Sequence, residues 1–397
     1  MPNIMDYLEW RGDLTLDEAP LCEVDNLIFC MLSYVDLDGI VPTSSRTGSR
    51  TGSIKLRAAA AEYFFTHPDI STRPLGFIIP ADILTLFRRM ARTRRFRDLL
   101  LTNYVNETSE VRETQFSAVT ILLPNEEAFV AFRGTDDTVV GWKEDFHLSY
   151  MDEIPAQRRA AEYLNDLDLT PDTILYVGGH SKGGNLAVWS AVHAEKHVQD
   201  KICQVYSNDG PGFSPETVQS DAYKALSGRI RVILPEDSLV GLLLEQDPRY
   251  TVIQSDRKGL FQHDGLSWKV LGGQFMRADG LSVTGKRNDT VVRDRIASMT
   301  MHERREFIRL IFTLVESTGA KTLTELHNGR VKTALTALKT FRDMSAADQE
   351  TAFYLWGKLV SHRSAETKSA SRPMRVAPPT KHTAGRIRIS LFPLLLP

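Results

Sequence analysis

The chain has 397 residues, 42% of them hydrophobic and 25% charged, with a net charge of −2. That composition fits a globular protein with room for one large α/β domain and an appendage. Near-neutral charge excludes a global pull toward nucleic acid or an anionic membrane, and no apolar run is long enough to cross a bilayer.

Asp6, Glu9, Arg11 and Asp13 interrupt the N-terminus before the apolar stretch of a signal peptide could form. The cysteines Cys22, Cys30 and Cys203 are odd in number, form no CxxC pair and lie in apolar runs. Reduced, buried thiols in a cytoplasmic protein are the expectation. Val24, Leu27, Ile28, Leu32 and Val35 fall on helical spacing, which predicts an amphipathic helix over 23–35 docked on the main core. Arg46-Thr47-Gly48-Ser49 is repeated at once as Arg50-Thr51-Gly52-Ser53, too short for a structural repeat and expected in a surface loop. A helical pattern resumes over 54–65. A longer helix is predicted over 82–104, whose arginines, Arg88 to Arg97, read as a solvated face.

Two strands follow, 115–123 and 128–132, and the second runs into Arg133-Gly134-Thr135. A helix over 156–167 leads to a strand, Thr173 to Val177, and then to Gly179-His180-Ser181-Lys182-Gly183 and a helix over 185–196. Strand, sharp turn carrying a serine, helix is the context of a nucleophile elbow. Further strands at 203–207, 230–234 and 249–254 alternate with a helix at 215–226, so the sheet is mainly parallel with helices on both faces. Three helical patterns, 290–316, 321–341 and 345–360, predict a C-terminal helical appendage. The segment after 360 is basic and Pro/Ser-rich and reads as disordered. Its final Leu391-Phe392-Pro393-Leu394-Leu395-Leu396 could touch a membrane but is too short to anchor in one. The predicted organisation is a core over 1–288 with an N-terminal helical extension, an appendage over 289–360 and a tail over 361–397.

A serine nucleophile needs a base, an acid that orients the base, and donors for the oxyanion. His302 and His327 belong to the appendage, and His362 and His382 to the tail. His263 alone among these sits on a loop after a core strand, which makes it the base by position. Two acids fit. Asp237 follows the strand 230–234, and Asp209 follows the strand one earlier. Asp209 lies in Asn-Asp-Gly-Pro-Gly, a turn sequence with its own structural explanation, so Asp237 is preferred and Asp209 stays the alternative. The Lys182 N–H, directly after the nucleophile, and an N–H of Gly134-Thr135 are placed to hold the oxyanion, with the Thr135 hydroxyl as a further donor. His193 and His197 are spaced i, i+4, but no third ligand stands at suitable spacing, and no Gly-rich phosphate loop is present. No metal or other cofactor is expected.

Phe132-Arg133-Gly134-Thr135, Trp142 with Asp145, Gly179-His180-Ser181-Lys182-Gly183-Gly184, Asp237, and His263-Asp264-Gly265 before Trp268 resemble the class 3 lipases in order and spacing over residues 116–270. The resemblance implies an α/β-hydrolase fold, the triad Ser181, Asp237 and His263, and an oxyanion hole at Thr135 and Lys182. Those lipases usually carry leucine at the position of Lys182, so a cation is expected near the nucleophile here. Asn3 to Asp13, Glu23-Val24-Asp25-Asn26-Leu27, the Gly179 to Ala187 run and Asn208-Asp209-Gly210-Pro211-Gly212-Phe213 also resemble the Mbeg-like family of bacterial proteins of unknown function, over nearly the whole chain. Together these readings lead to a cytoplasmic serine hydrolase acting on a small-molecule ester, thioester or lipid, with no nucleic-acid partner and no stable membrane insertion. The alternative is a non-catalytic binding or scaffold protein on a hydrolase fold. Lid and acyl-pocket residues are expected from 239–246, around Leu242, Leu243 and Leu244, and from 36–75.

Overall fold

The computed structural model describes residues 1–43, 52–68, 82–283, 285, 286, 295 and 298–360. Most of the Arg-Thr-Gly-Ser duplicate, part of the expected lid region at 36–75 and the whole tail from 361 lie outside these residues.

An eight-stranded sheet runs in strict chain order: β1 (Ile54–Lys55), β2 (Leu100–Ser109), β3 (Thr114–Leu122), β4 (Glu127–Phe132), β5 (Ile174–His180), β6 (Ile202–Asn208), β7 (Ile230–Pro235) and β8 (Thr251–Ile253). β1 to β4 are antiparallel neighbours, with β2–β3 and β3–β4 joined as hairpins; β4 to β8 are parallel. The parallel strands are joined through α5 (Val139–His147) and α6 (Pro155–Asn165), then α7 (Lys182–His193) and α8 (Lys196–Gln199), then α9 (Pro215–Gln219) and α10 (Asp221–Leu226). Each of these steps moves to the next strand in the same direction. Because parallel crossovers are right-handed, steps in one direction place their helices on one face. That face buries Ala160, Tyr163 and Leu164 of α6, Leu186 and Ala187 of α7 and Leu226 of α10 against Val130, Val177, Val205 and Val232.

Alternation along each strand turns the intervening residues to the other face. Phe129, Ile233 and Ile253, with half-buried Tyr176 and Tyr206, look that way, and no crossover helix reaches them. The N-terminal helices cover them instead: α1 (Ile4–Arg11), α2 (Glu23–Leu32), α3 (Leu56–Thr66) and α4 (Ile83–Met90). α2 lies directly on the sheet and is buried on every side from Val24 to Leu32, polar Asp25 and Asn26 included. It is therefore a central core helix rather than an amphipathic one. Asp25 survives there because Arg95 pairs with it, the Tyr7 hydroxyl donates to it at 2.8 Å and the Cys22 amide at 2.9 Å.

Arg95 was expected on a solvated helix face. The helix in fact stops at Met90, and Leu100 opens strand β2, paired with Leu122. The turn between them carries the Arg95 side chain inward, where it is 1% exposed. The cysteines also differ from expectation: Cys30 is buried and Cys22 half-buried, but Cys203 is exposed. The resulting fold is α/β-hydrolase-like, a mainly parallel sheet with helices on both faces.

The C-terminal helices α11 (Met301–Ser317), α12 (Leu323–Asn328), α13 (Arg330–Asp343) and α14 (Ala346–Val360) form the appendage. It docks on α5, where Val139 packs with Ile308, Phe312, Leu323 and Leu326, and Lys143 pairs with Glu316 at 2.7 Å. No helix among the described residues is long and apolar enough to cross a membrane.

Candidate active site

Strand β5 ends in Gly178-Gly179-His180, and α7 begins at Lys182. Ser181 alone makes the turn, at φ 58° and ψ −134°. A non-glycine residue in that region is strained, and such strain persists only where surrounding structure enforces it. The enforcement is visible in the flanking glycines. A Cβ on Gly179 would stand 2.0 Å from the Gly183 carbonyl oxygen, and one on Gly183 would stand 2.2 Å from that of Phe132. The Ser181 amide donates to the Asn208 carbonyl at 3.0 Å, tying the turn to the end of β6.

The next residue, Asp209, is also in left-handed backbone, at φ 50°. Its side chain is fully buried and its Oδ2 accepts from His263 Nδ1 at 2.7 Å. Oδ1 accepts from the Ser238 hydroxyl at 2.5 Å and the Gly241 amide at 3.2 Å. With Nδ1–H committed to a carboxylate, His263 presents Nε2 as an acceptor, the tautomer a general base requires. Among the described residues the Ser181 hydroxyl makes no hydrogen bond. In unliganded hydrolases that nucleophile–base contact is often long and tightens only with substrate.

Asp237, the preferred acid, does not touch the imidazole. Its Oδ2 accepts from the Gly259 amide at 2.9 Å and Gln262 Nε2 at 3.1 Å, its Oδ1 accepts from the Ser282 hydroxyl, and its amide donates to Gln262 Oε1 at 2.9 Å. It fastens the short 3₁₀ segment Gly259–His263, so it holds the loop that carries His263 while Asp209 holds the ring. The geometry follows from sheet order. Adjacent strands are about 4.8 Å apart, so a residue after β6 is one strand from Ser181 and a residue after β7 is two.

Two further residues complete the setting. His180 Nε2 donates to the His263 carbonyl at 2.7 Å, and its Nδ1 accepts from the Tyr34 hydroxyl at 3.0 Å. Burial, reinforced by the neighbouring His263, pushes the His180 pKa down to about 3, so this ring stays neutral. Tyr34 comes from the turn after α2; burial raises its pKa, so it remains a donor. Neither was singled out from sequence. His180 lay inside the recognised pentapeptide as its variable position, and nothing local marks Tyr34.

Thr135 and Lys182 stand on either side of the elbow. Lys182 is the first residue of α7, so its N–H has no intrahelical acceptor, and among the described residues neither it nor the Thr135 N–H makes a backbone hydrogen bond. The Thr135 hydroxyl is already committed, donating to Asp145 Oδ2 at 2.5 Å. The Lys182 ammonium does not bond Ser181. The side chain is fully buried and runs to Gln115 and Glu144. In the expected lid segment Leu242 is core, Leu243 and Leu244 are half-buried, and the Leu243 carbonyl accepts from the Gly212 amide. His193 stacks on Trp189 and bonds its carbonyl, while His197 lies by Glu195. Among the described residues no three His, Cys, Asp or Glu side chains are grouped to hold a metal.

A strained serine elbow, a histidine on a buried aspartate and two amides without a partner among the described residues, all at one end of a mainly parallel sheet, fit the hydrolase type of α/β fold. A profile of the Mbeg1-like family matches residues 90–313, more than half of the chain, and the chain belongs to that family. The match leaves out the Asn3–Asp13 and Glu23–Leu27 segments. Among solved structures, the crystal structure of M37 lipase is similar at 16% identity and a TM-score of 0.34, over 54% of this chain and 68% of that one. Comparison with curated proteins gave no match.

Proposed function

We propose that this chain is a cytoplasmic serine hydrolase that cleaves a carboxylic ester or thioester through an acyl-enzyme. The observation that carries the reading is the Asp209–His263 pair beside the strained Ser181 turn. In the proposed route Ser181 Oγ adds to the substrate carbonyl carbon and its proton passes to His263 Nε2. Asp209 stabilises the imidazolium. The oxyanion is held by the Lys182 and Thr135 amides, each worth roughly 3 kcal/mol to such a transition state. Collapse expels the alkoxide or thiolate, which leaves with the proton from His263. Water then gives a proton to His263, its oxygen attacks the acyl carbon, and Ser181 departs with that proton, releasing the carboxylic acid. No metal or cofactor has a step in this route, and the proposed partner is a small ester, thioester or lipid.

A fluorophosphonate probe tests the reading. Covalent labelling of the wild-type chain, lost in Ser181→Ala, is the expected result. A folded wild-type protein that takes up no label at Ser181 returns the chain to the non-catalytic, binding alternative.

A further inference from the structure

The Lys182 side chain belongs to a buried polar cluster that the proposed chemistry does not use. Its Nζ donates to the Gln115 carbonyl at 3.0 Å, to Gln115 Oε1 at 2.9 Å and to Glu144 Oε2 at 2.9 Å, with Asp145 Oδ1 at 3.8 Å. Glu144 is fully buried and saturated: Oε1 accepts from the Thr114 hydroxyl at 2.7 Å and the Ala156 amide at 2.9 Å, and Oε2 also accepts from the Gln115 amide at 3.1 Å. Among the described residues Gln115 Nε2 has no partner, so that amide is kept for its oxygen, which faces Lys182.

A buried ion pair is a poor device for stability alone, because desolvation offsets most of the attraction and an apolar pair of equal volume does as well. Its use lies in fixed geometry. α5 presents Glu144 to the residue after the nucleophile and Asp145 to Thr135, at consecutive positions. The two proposed oxyanion residues come from different strand ends, β5 and β4, and both are tied by side chains to this one helix. The appendage packs on the outer side of α5. A leucine at 182 would fill space but could not make these bonds.

We infer that the Lys182–Glu144 ion pair is a splint for the oxyanion hole, setting the position of the Lys182 amide relative to Thr135. Lys182 through its side chain, and Glu144, are positioning residues. This rests on the serine-hydrolase reading above. Misplacing a catalytic group by an ångström costs on the order of a hundredfold in rate, and losing an oxyanion donor costs at least that.

The test measures turnover of a short p-nitrophenyl ester per fluorophosphonate-labelled Ser181, so that unfolded protein is not counted. Lys182→Met and Glu144→Gln should each lower kcat per labelled site by roughly ten- to a hundredfold with KM nearly unchanged. The double variant should be no worse than the poorer single one, since the pair acts as a unit. Asp25→Asn, which breaks the buried pair with Arg95, should lower Tm and leave kcat per labelled site at the wild-type value. If Lys182→Met does not fold, Gln115→Leu removes one acceptor, spares the pair and should give a smaller fall in the same quantity. Labelled variants that turn over at the wild-type rate, whatever their Tm, overturn the splint. A wild-type chain that takes no label overturns the serine-hydrolase reading instead.

Discussion

Asp209 and Asp237 follow neighbouring strands at the same edge of the sheet, and both serve His263. Asp209 is fully buried, strained in its backbone, and places one oxygen on the imidazole. Asp237 bonds the Gly259 amide and the Gln262 side chain, a few residues before the histidine. One carboxylate fixes the ring's tautomer and direction; the other fixes where the ring's loop sits. In the proposed route a charge on the first acts on the proton passing to His263, whereas the second contributes only through the fold.

Substitutions can sharpen that contrast. Ser181→Ala sets the floor, with an expected loss of roughly a millionfold in kcat on any substrate the wild type turns over. Asp209→Asn should cost about ten-thousandfold with little change in KM, because the amide no longer holds the Nδ1–H tautomer. Asp237→Asn should cost less than about tenfold in kcat but about 1–3 kcal/mol in stability, read by denaturant melts, because a half-buried acceptor set is disturbed. Reversed rankings for the two aspartates in steady-state kinetics would break the assignment of roles.

A separate effect, on acid stability rather than turnover, concerns His180. Its folded pKa of about 3 lies below the usual value near 6.5, so the unfolded chain binds more protons between those limits. The stability it supports is complete above about pH 6.5 and is lost as pH falls toward 3, by at most about 1.4 kcal/mol per pH unit. Asp145 works in the opposite sense. Burial raises its pKa to about 6, so the folded state gains relative stability as pH falls through that value. Comparing melts of His180→Gln with wild type from pH 7 to 4 isolates the histidine: the variant should show the flatter acid limb.

Sequence order placed Ser181 on a turn between strand and helix, and His263 on a loop after a core strand, because each is punctuated locally, by glycines around Ser181 and by the strand end before His263. The choice between Asp209 and Asp237 was not readable in that way. It depends on which side chain turns toward a ring 54 residues further on in one case and 26 in the other, and turn chemistry at Asn-Asp-Gly-Pro-Gly explains Asp209 equally well without catalysis. Lys182 misled for a related reason. Adjacency in sequence put a charge by the nucleophile, but the first residue of a helix directs backbone and side chain different ways, and here the ammonium ends beneath the sheet edge on Glu144. The covering role of α1 to α4 was legible only as a helix expected to dock. That α2 would be buried on all sides follows from the one-directional strand order, which no local pattern encodes.

That order also sets a timetable for folding. Residues near the start of the described sequence pair with residues far along it: the Val270 amide bonds the Pro2 carbonyl at 2.8 Å, and Asn26 bonds Asn208 at 3.0 Å. Contacts so distant along the chain slow folding and leave apolar surface open meanwhile. At synthesis rates of about 5–20 residues per second, α2 waits roughly ten seconds or longer for the strands it covers. The apolar surface of the nascent α2 stays open until those strands are made.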